Sequence, residues 1–332
     1  MKVLLLGSTG LLGHNVLQRL SATGHQVVTV VRRRNALQVV PADATIIEGS
    51  ITHRDTVIAA ARDCDAIINC AGVTDMSLLR YEDFTKVNTN LCHSLIAAMN
   101  THGIKRLVHI STVNTIGFGT PTHPAGEEKV IKAPFDKSFY ALSKLDGELA
   151  VREEARRHPD WHAVVINPGY LIGPMDVKPS SGKMLLLGYR RPMMVAPRGG
   201  KAFVDVRDVA AAAVNALTMG QNGERYIAVN SAGQFSISDL YILQAHIMGY
   251  RQHVISLPNG LLRLAGWLGD LARTVGIRTS LSTCNVQQLM VNEYYDNSRA
   301  CRELALPQTD IATAIRDFHR WRETHTTTRI KY

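Results

Sequence analysis

The sequence predicts an α/β fold: a doubly wound parallel sheet with a smaller, mostly helical lobe. Three observations carry that prediction. Short, wholly apolar strand-like runs alternate with helix-periodic segments, a glycine-rich turn joins the first run to the first helix, and the alternation stops near residue 173. Strands that are apolar on both faces are buried on both faces, which marks parallel βαβ units rather than a half-exposed antiparallel sheet. Right-handed crossovers then fix the hand of the winding.

KVLLLG (2–7) reads as a buried strand, and LLGHNVLQRLSATG (11–24) has helical spacing closed by a glycine. QVVTVV (26–31) and ATIIEG (44–49) follow as strands, DTVIAAARD (55–63) as a helix, and AIINCAG (66–72) as a fourth strand. FTKVNTNLCHSLIAAMNTHG (84–103) reads as one long helix before the strand RLVHIST (106–112), and a helix opening near Tyr140 precedes the strand HAVVINP (162–168). FVDVRDVAAAAVNAL (203–217) is read as a strand and helix returning to the same sheet, with RYIAVN (225–230) as its last strand. The division is therefore a dinucleotide-binding domain over 1–173 plus 204–234, and a substrate lobe over 174–203 plus 235–332, where short helices dominate.

Composition sets the outer limits. The chain has 332 residues, 45% hydrophobic and 20% charged, ordinary values for a globular protein of one large domain or two. Five cysteines without paired spacing read as reduced thiols of a cytoplasmic protein. MKVLLLGSTG is too short in apolar residues for a signal peptide, and no apolar run approaches the ~18 residues that span a bilayer. The net charge of +9 suits anionic partners, nucleotide phosphates or anionic lipid head groups. Zinc-finger spacing and aromatic RNA-binding signatures are absent, so nucleic acid is not an expected partner.

The turn GSTGLLG places Gly7, Gly10 and Gly13 between strand and helix. Glycines there allow a tight turn and close backbone approach to a diphosphate, and the helix N-terminus offers unpaired N–H groups. The end of the second strand chooses the dinucleotide. An acid there would accept from a ribose 2′-hydroxyl; instead Val31 is followed by Arg32, Arg33 and Arg34. Guanidinium forks grip phosphate, so NADP(H) is expected rather than NAD(H).

In SFYALSK (138–144), Tyr140 and Lys144 stand one helical turn apart, and none of the other nine of the ten tyrosines has a lysine at that spacing. A tyrosine is a sluggish acid at neutral pH, and an ammonium on the same helix face is expected to lower its pKa. Ser111 and Thr112 close the strand upstream, where Thr112 can bond a substrate oxygen. The 13 histidines are scattered, and no metal is expected.

Taken in order, GSTGLLG, INCAGV, HISTVNTIG, YALSK and INPGYLIGP resemble the extended short-chain dehydrogenase/reductases of the NAD-dependent epimerase/dehydratase superfamily. The dihydroflavonol-reductase and 3β-hydroxysteroid-dehydrogenase-like branch is the nearest in pattern. The resemblance implies a Rossmann-type domain in which Tyr140, Lys144, Thr112 and Asn88 form the catalytic set. It also implies cofactor contacts from Gly7, Thr9, Gly10, Leu11, Leu12 and Gly13 in the first turn and from Arg32 and Arg33 after the second strand. Ser50 and Ile51, then Cys70, Ala71 and Gly72, follow at later strand ends, with Asn167, Pro168 and Gly169 beside the nicotinamide and Tyr140 and Lys144 at the ribose. Ser143 belongs to the pattern without an assigned task. Gly49 is followed by Ser50 where relatives carry Asp. Ile116 and Ile172 stand where nucleotide-sugar enzymes have aromatics, which speaks against a sugar-nucleotide substrate.

The expected activity is NADPH-dependent reduction of a ketone, or oxidation of the matching alcohol, on a hydrophobic small molecule such as a long-chain 3-keto compound, sterol or polyketide. The alternatives are a nucleotide-sugar epimerase or dehydratase holding NAD, and an NADP-binding sensor without turnover. Substrate specificity falls to 113–139, to 174–203 (where 176–195 mixes Met, Leu and Tyr with basic residues), and to the helices after 235. Within 257–277, Leu261, Leu264, Leu268, Leu271 and Val275 form a stripe, read first as a helix covering the lobe's core and second as a peripheral membrane contact. A homodimer or a monomer is expected.

Overall fold

The computed structural model describes residues 1–37, 40–42 and 44–326. Strand β1 (Lys2–Leu6) leads through the glycine turn into α1 (Leu11–Ala22), followed by β2 (Gln26–Val31), β3 (Thr45–Glu48), α2 (Arg54–Ala60) and β4 (Ala66–Asn69). Helices α3 (Tyr81–Asn88) and α4 (Asn90–His102) precede β5 (Arg106–Ile110), and α5 (Phe139–Arg157) precedes β6 (His162–Pro168). Then come β7 (Tyr170–Ile172), α6 (Gly182–Gly188), β8 (Met193–Ala196), β9 (Gly200–Asp205), α7 (Val206–Asn215) and β10 (Arg225–Ala228). The chain continues through β11 (Gln234–Ser236), α8 (Ile237–Ile247), β12 (His253–Ser256), α9 (Asn259–Thr274), α10 (Thr283–Gln288), α11 (Ser298–Glu303) and α12 (Ile311–Thr326).

Seven parallel strands form the central sheet in the order β3-β2-β1-β4-β5-β6-β10. Alternate residues of β1 feed opposite cores. Val3 and Leu5 pack with Val16, Leu17 and Leu20 of α1 and Val209 and Ala213 of α7, whereas Leu4 and Leu6 pack with Val57, Leu91, Leu95 and Val151. This is the Rossmann-type doubly wound fold that the apolar strand runs predicted. The order reverses between β1 and β4, so the carboxyl ends of those strands open the crevice in which such sheets bind ligands.

Several elements differ from expectation. The helix anticipated at 84–103 is broken at Thr89, whose backbone leaves the helix at ψ −57° with φ −109°. The break is where α5 crosses: a Cβ on Gly147 would lie 2.2 Å from the Asn88 carbonyl, and the Thr89 hydroxyl donates to the Ser143 carbonyl at 2.9 Å. Strand β9 does not return to the central sheet. It pairs with β7 and β11 in a separate three-stranded sheet, because β10 already occupies the edge beside β6. Its helix α7 does pack on α1 of the main domain. The segment 174–203 contains ordered α6 and β8, and α9 and α12 have 16 residues each, longer than the short helices expected after 235. Residues 327–332 of the anticipated lobe lie outside the described residues.

The small sheet is bolted to the main one at Gly169, where a Cβ would lie 2.1 Å from the Ala202 carbonyl of β9. Further on, Arg207 bonds Asp205 and reaches Asp317 of α12 at 2.7 Å, closing the C-terminal helix over β9 and α7. Gly169→Ala is expected to cost about 3 kcal/mol, since backbone rather than a flexible side chain must move. Urea unfolding measures this, and a loss below about 0.5 kcal/mol would contradict the close approach.

Candidate active site

The glycine turn is shaped for close approach. Gly7 has φ +80°, and a Cβ on Gly13 would lie 2.0 Å from the Gly7 carbonyl, so the turn accepts no side chain at either position. Gly10 caps α1 without a side-chain hydrogen bond, and the first turn of α1 holds no acid. The N–H groups at Leu11, Leu12 and Gly13 thus begin a helix whose positive end no carboxylate of its own neutralises. This bare cradle fits a dinucleotide diphosphate. Thr9 is exposed beside it, while the side chain of Leu12 is buried in the core, leaving only its backbone for a ligand. Behind the turn, the Ser8 and Thr29 hydroxyls bond each other at 2.6 Å, and Thr29 donates to the Leu5 carbonyl, tying turn to sheet.

At the end of β2, Val31 is buried and Arg32, Arg33 and Arg34 are exposed. The nearest carboxylate across the register, Glu48, accepts the Arg34 backbone N–H at 2.8 Å. The Ser50 hydroxyl is bonded with that of Thr52, and Ile51 packs against the α2 side of the core. After β4, Asn69 accepts the Ala71 N–H and bonds His109 at 3.2 Å, which shapes the loop carrying Cys70, Ala71 and Gly72. A Cβ on Gly72 would lie 3.8 Å from Lys144 Nζ, so this loop and the lysine are neighbours.

Helix α5 carries the reactive face. Ser138 caps it, and Tyr140, Lys144 and Glu148 follow at i, i+4 and i+8 on one side. The Thr112 side chain lies close enough to the Tyr140 phenol to act on its pKa. Their electrostatics do not follow expectation. Burial dominates and pushes the phenol above its ordinary pKa, with the Thr112 side chain pulling the other way. The ammonium of Lys144 donates to the Ile110 carbonyl at 2.5 Å, and burial lowers its own pKa. His109 beside it is held neutral, its pKa driven well down by burial and by Lys144.

Asn88 and Ser143 form a brace. Asn88 accepts the Val73 N–H at 2.8 Å, donates to the Val73 carbonyl, and donates to the Ser143 hydroxyl at 2.9 Å; Ser143 in turn donates to the Tyr140 carbonyl. Ser143 thereby acquires the task the sequence left blank: it joins the turn bearing Tyr140 to the loop after β4.

The Asn167 side chain is taken up within the protein. Its amide donates to the Thr112 carbonyl, the Thr115 hydroxyl and the Glu148 carboxylate at 2.9–3.0 Å, so the side chain braces the loop after β5. Pro168 pairs with Ala228 in the sheet, and Gly169 serves the approach to β9.

Glu148 is the residue that sequence reading missed. Fully buried, it accepts from Ser111 at 2.7 Å, Thr115 at 2.9 Å and Asn167, and pairs with Arg225 of β10 at 2.8 Å. Arg225 also donates to the Glu127 and Lys129 carbonyls, fastening the loop that precedes α5. The spacing Tyr140-Lys144-Glu148 was a signal for Glu148, but an i+4 carboxylate is also what any exposed helix shows.

The profile of the NAD dependent epimerase/dehydratase family matches residues 3–231, and the chain belongs to that family. It is an NAD(P)-dependent oxidoreductase of the extended short-chain dehydrogenase/reductase type. Over 96% of its length it is 28% identical to a putative dihydroflavonol 4-reductase of Synechocystis sp., 94% of which is covered. It is 26% identical to sterol demethylase protein B of Methylococcus capsulatus, over 97% of this chain and 98% of that one. The crystal structure of gox2253 superposes with a TM-score of 0.80 at 24% identity, covering 97% and 98% of the two chains. UDP-glucose 4-epimerase from Thermotoga maritima superposes at 0.76 with 16% identity, covering 98% of this chain and 100% of that one, a likeness of fold.

Arg225→Met leaves the Glu148 charge with only the longer 3.7 Å pair to Arg152 and is expected to lower stability by about 3 kcal/mol in urea unfolding. Adding Glu148→Gln should recover part of that loss; strictly additive losses would show that the two side chains are not coupled.

Proposed function

We propose that the protein reduces a ketone on a hydrophobic substrate with NADPH. The observation that carries this reading is the meeting of the Tyr140 phenol and the Thr112 side chain after β5, one helical turn from buried Lys144, which neighbours the loop at Gly72. A bound reduced nicotinamide would supply the hydride. The Thr112 hydroxyl orients the carbonyl oxygen, and the Tyr140 phenol gives its proton to the oxygen as negative charge develops there. Of the three N–H groups of Lys144, one is engaged by Ile110, and the other two would serve the phenol and the ribose hydroxyls. Gly7, Gly10 and Gly13 would hold the diphosphate, and Arg32 and Arg33 a 2′-phosphate.

Support for an apolar substrate comes from the wall behind Thr112. Val113, Ile116 and Tyr295 form a buried cluster there with Phe118 packed on it, and Phe118 meets Phe135 edge-on. Ile116 thus fills with hydrocarbon the position where nucleotide-sugar enzymes have a tyrosine. The names of relatives, a dihydroflavonol reductase and a farnesyl-dihydroquinoline ketoreductase, agree with such a substrate. The likeness to a UDP-glucose epimerase supports the second reading, and conversion of UDP-glucose with bound NAD would establish it over the first.

The test is NADPH oxidation with long-chain 3-keto, sterol and polyketide ketones. Tyr140→Phe is expected to lower kcat by at least about a thousandfold with cofactor affinity unchanged; undiminished turnover would end the assignment. Because the phenol lies above its ordinary value of 10.0, it stays protonated through neutral pH. Reduction should therefore be level there and fail only in the alkaline range, while alcohol oxidation rises with pH. Thr112→Ala removes the hydroxyl that lowers the phenol's pKa, so the alkaline limb should move further up. Arg32→Ala with Arg33→Ala is expected to raise KM for NADPH about tenfold or more and leave that for NADH within about twofold. A variant that discriminates no less would show that the arginines do not select the cofactor.

A further inference from the structure

Helix α9 was read first as a cover for the lobe's core, and its geometry reverses that reading. At 100° per residue, Leu261, Leu264, Trp267, Leu268, Leu271 and Val275 share one arc of the helix, and each is between 51% and 72% exposed. The buried face lies opposite and is made of Leu262, Gly266 and Gly269. A Cβ on Gly266 would meet Val286 at 2.6 Å and one on Gly269 the Leu281 carbonyl at 2.3 Å, so the helix is clamped to the α10 segment through its glycines. An amphipathic helix normally turns its apolar arc inward. This one presents the arc outward.

The clamp is not a free arm. Arg273 donates to the Leu78 carbonyl at 2.8 Å and the Met76 carbonyl at 3.2 Å, Asn285 donates to Met76, and Cys284 contacts the Pro134 carbonyl. The α9–α10 hairpin is therefore fixed on the two loops that flank the site, one following Gly72 and the other leading to Tyr140. The segment holding the arc is net positive, with Arg273 taken up in the clamp and Arg251 lying ahead of β12. Over 251–282 there are four arginines against one carboxylate, Asp270, and both its oxygens accept the Thr283 N–H at 3.2 Å. Asp75 offsets part of the charge of exposed Arg278, whereas exposed Arg263 has no carboxylate partner among the described residues.

We propose that this outer face of α9 docks on an anionic lipid surface. Outward leucines with a tryptophan among them suit the boundary between head groups and acyl chains, and the arginine excess suits anionic head groups. A second copy of the chain fits less well, because pairing two such faces sets their arginines against each other. Docking holds whatever carbonyl the site reduces.

The test is co-sedimentation of the full chain with phosphatidylcholine vesicles, with and without about 30% phosphatidylglycerol, alongside light scattering without vesicles. The wild-type chain is expected to bind the anionic vesicles at least about tenfold better than the neutral ones. Leu264→Glu with Leu268→Glu should lower binding by at least about tenfold, with melting temperature and NADPH binding unchanged. Arg263→Glu should weaken binding to the anionic vesicles alone. The proposal is overturned if the wild-type chain sediments with neither vesicle, if the double variant binds undiminished, or if the face instead holds a dimer that the double variant dissociates.

Discussion

The Glu148 carboxylate, sealed inside the protein, is met by Arg225 at 2.8 Å and by the Ser111, Thr115 and Asn167 side chains, and the site is built outward from that cluster. Removing a carboxylate from water costs several kcal/mol unless charge and hydrogen bonds replace the solvent. The partners come from three places: Ser111 and Thr115 from the loop after β5, Asn167 from β6, and Arg225 from β10. One buried charge thus fixes the register of three strand ends against α5, and with it the position of everything one and two turns earlier on that helix.

This explains how two adjacent hydroxyls take different duties. Ser111 is drawn to Glu148, and Thr112, pointing to the other side of the extended backbone, is left for Tyr140. Asn167 supports the same division from β6 by holding the Thr112 carbonyl. Arg225 extends the cluster to the Glu127 and Lys129 carbonyls, so the loop bordering the substrate region is anchored to the same charge. The buried surroundings that make the cluster rigid also govern the ionisable groups beside it. They hold the Tyr140 phenol protonated and His109 neutral, and they lower the pKa of Lys144 as well.

Much of the main domain was legible from local pattern. Apolar strand runs, the glycine turn and the helix beginning at Ser138 each follow from neighbours a few residues apart, and the spacing of Tyr140 and Lys144 follows from helix geometry alone. Where the reading failed, a distant contact had prevailed. The helix expected at 84–103 breaks because Gly147 of α5 presses on Asn88. Strand β9 leaves the central sheet because β10 holds its edge. The leucine stripe of α9 has the period of a core helix, but period cannot say which way the stripe faces; Gly266 and Gly269, by allowing close packing on the opposite side, decided that it faces out.

The sequence by itself determined the alternation of strands and helices, the side-chain-free turn after β1, the basic end of β2, and the one-turn spacing of Tyr140 and Lys144. These depend on hydrogen bonding and side-chain periodicity within one or two turns of chain. Only the tertiary structure decided that Glu148 is buried with Arg225, 77 residues away, that Asn167 braces a loop, that Ser143 joins Asn88 to α5, and that α9 turns its leucines outward. The physical reason is the same in each case: desolvation and close packing depend on which distant surfaces meet, and a linear pattern does not encode that meeting residue by residue.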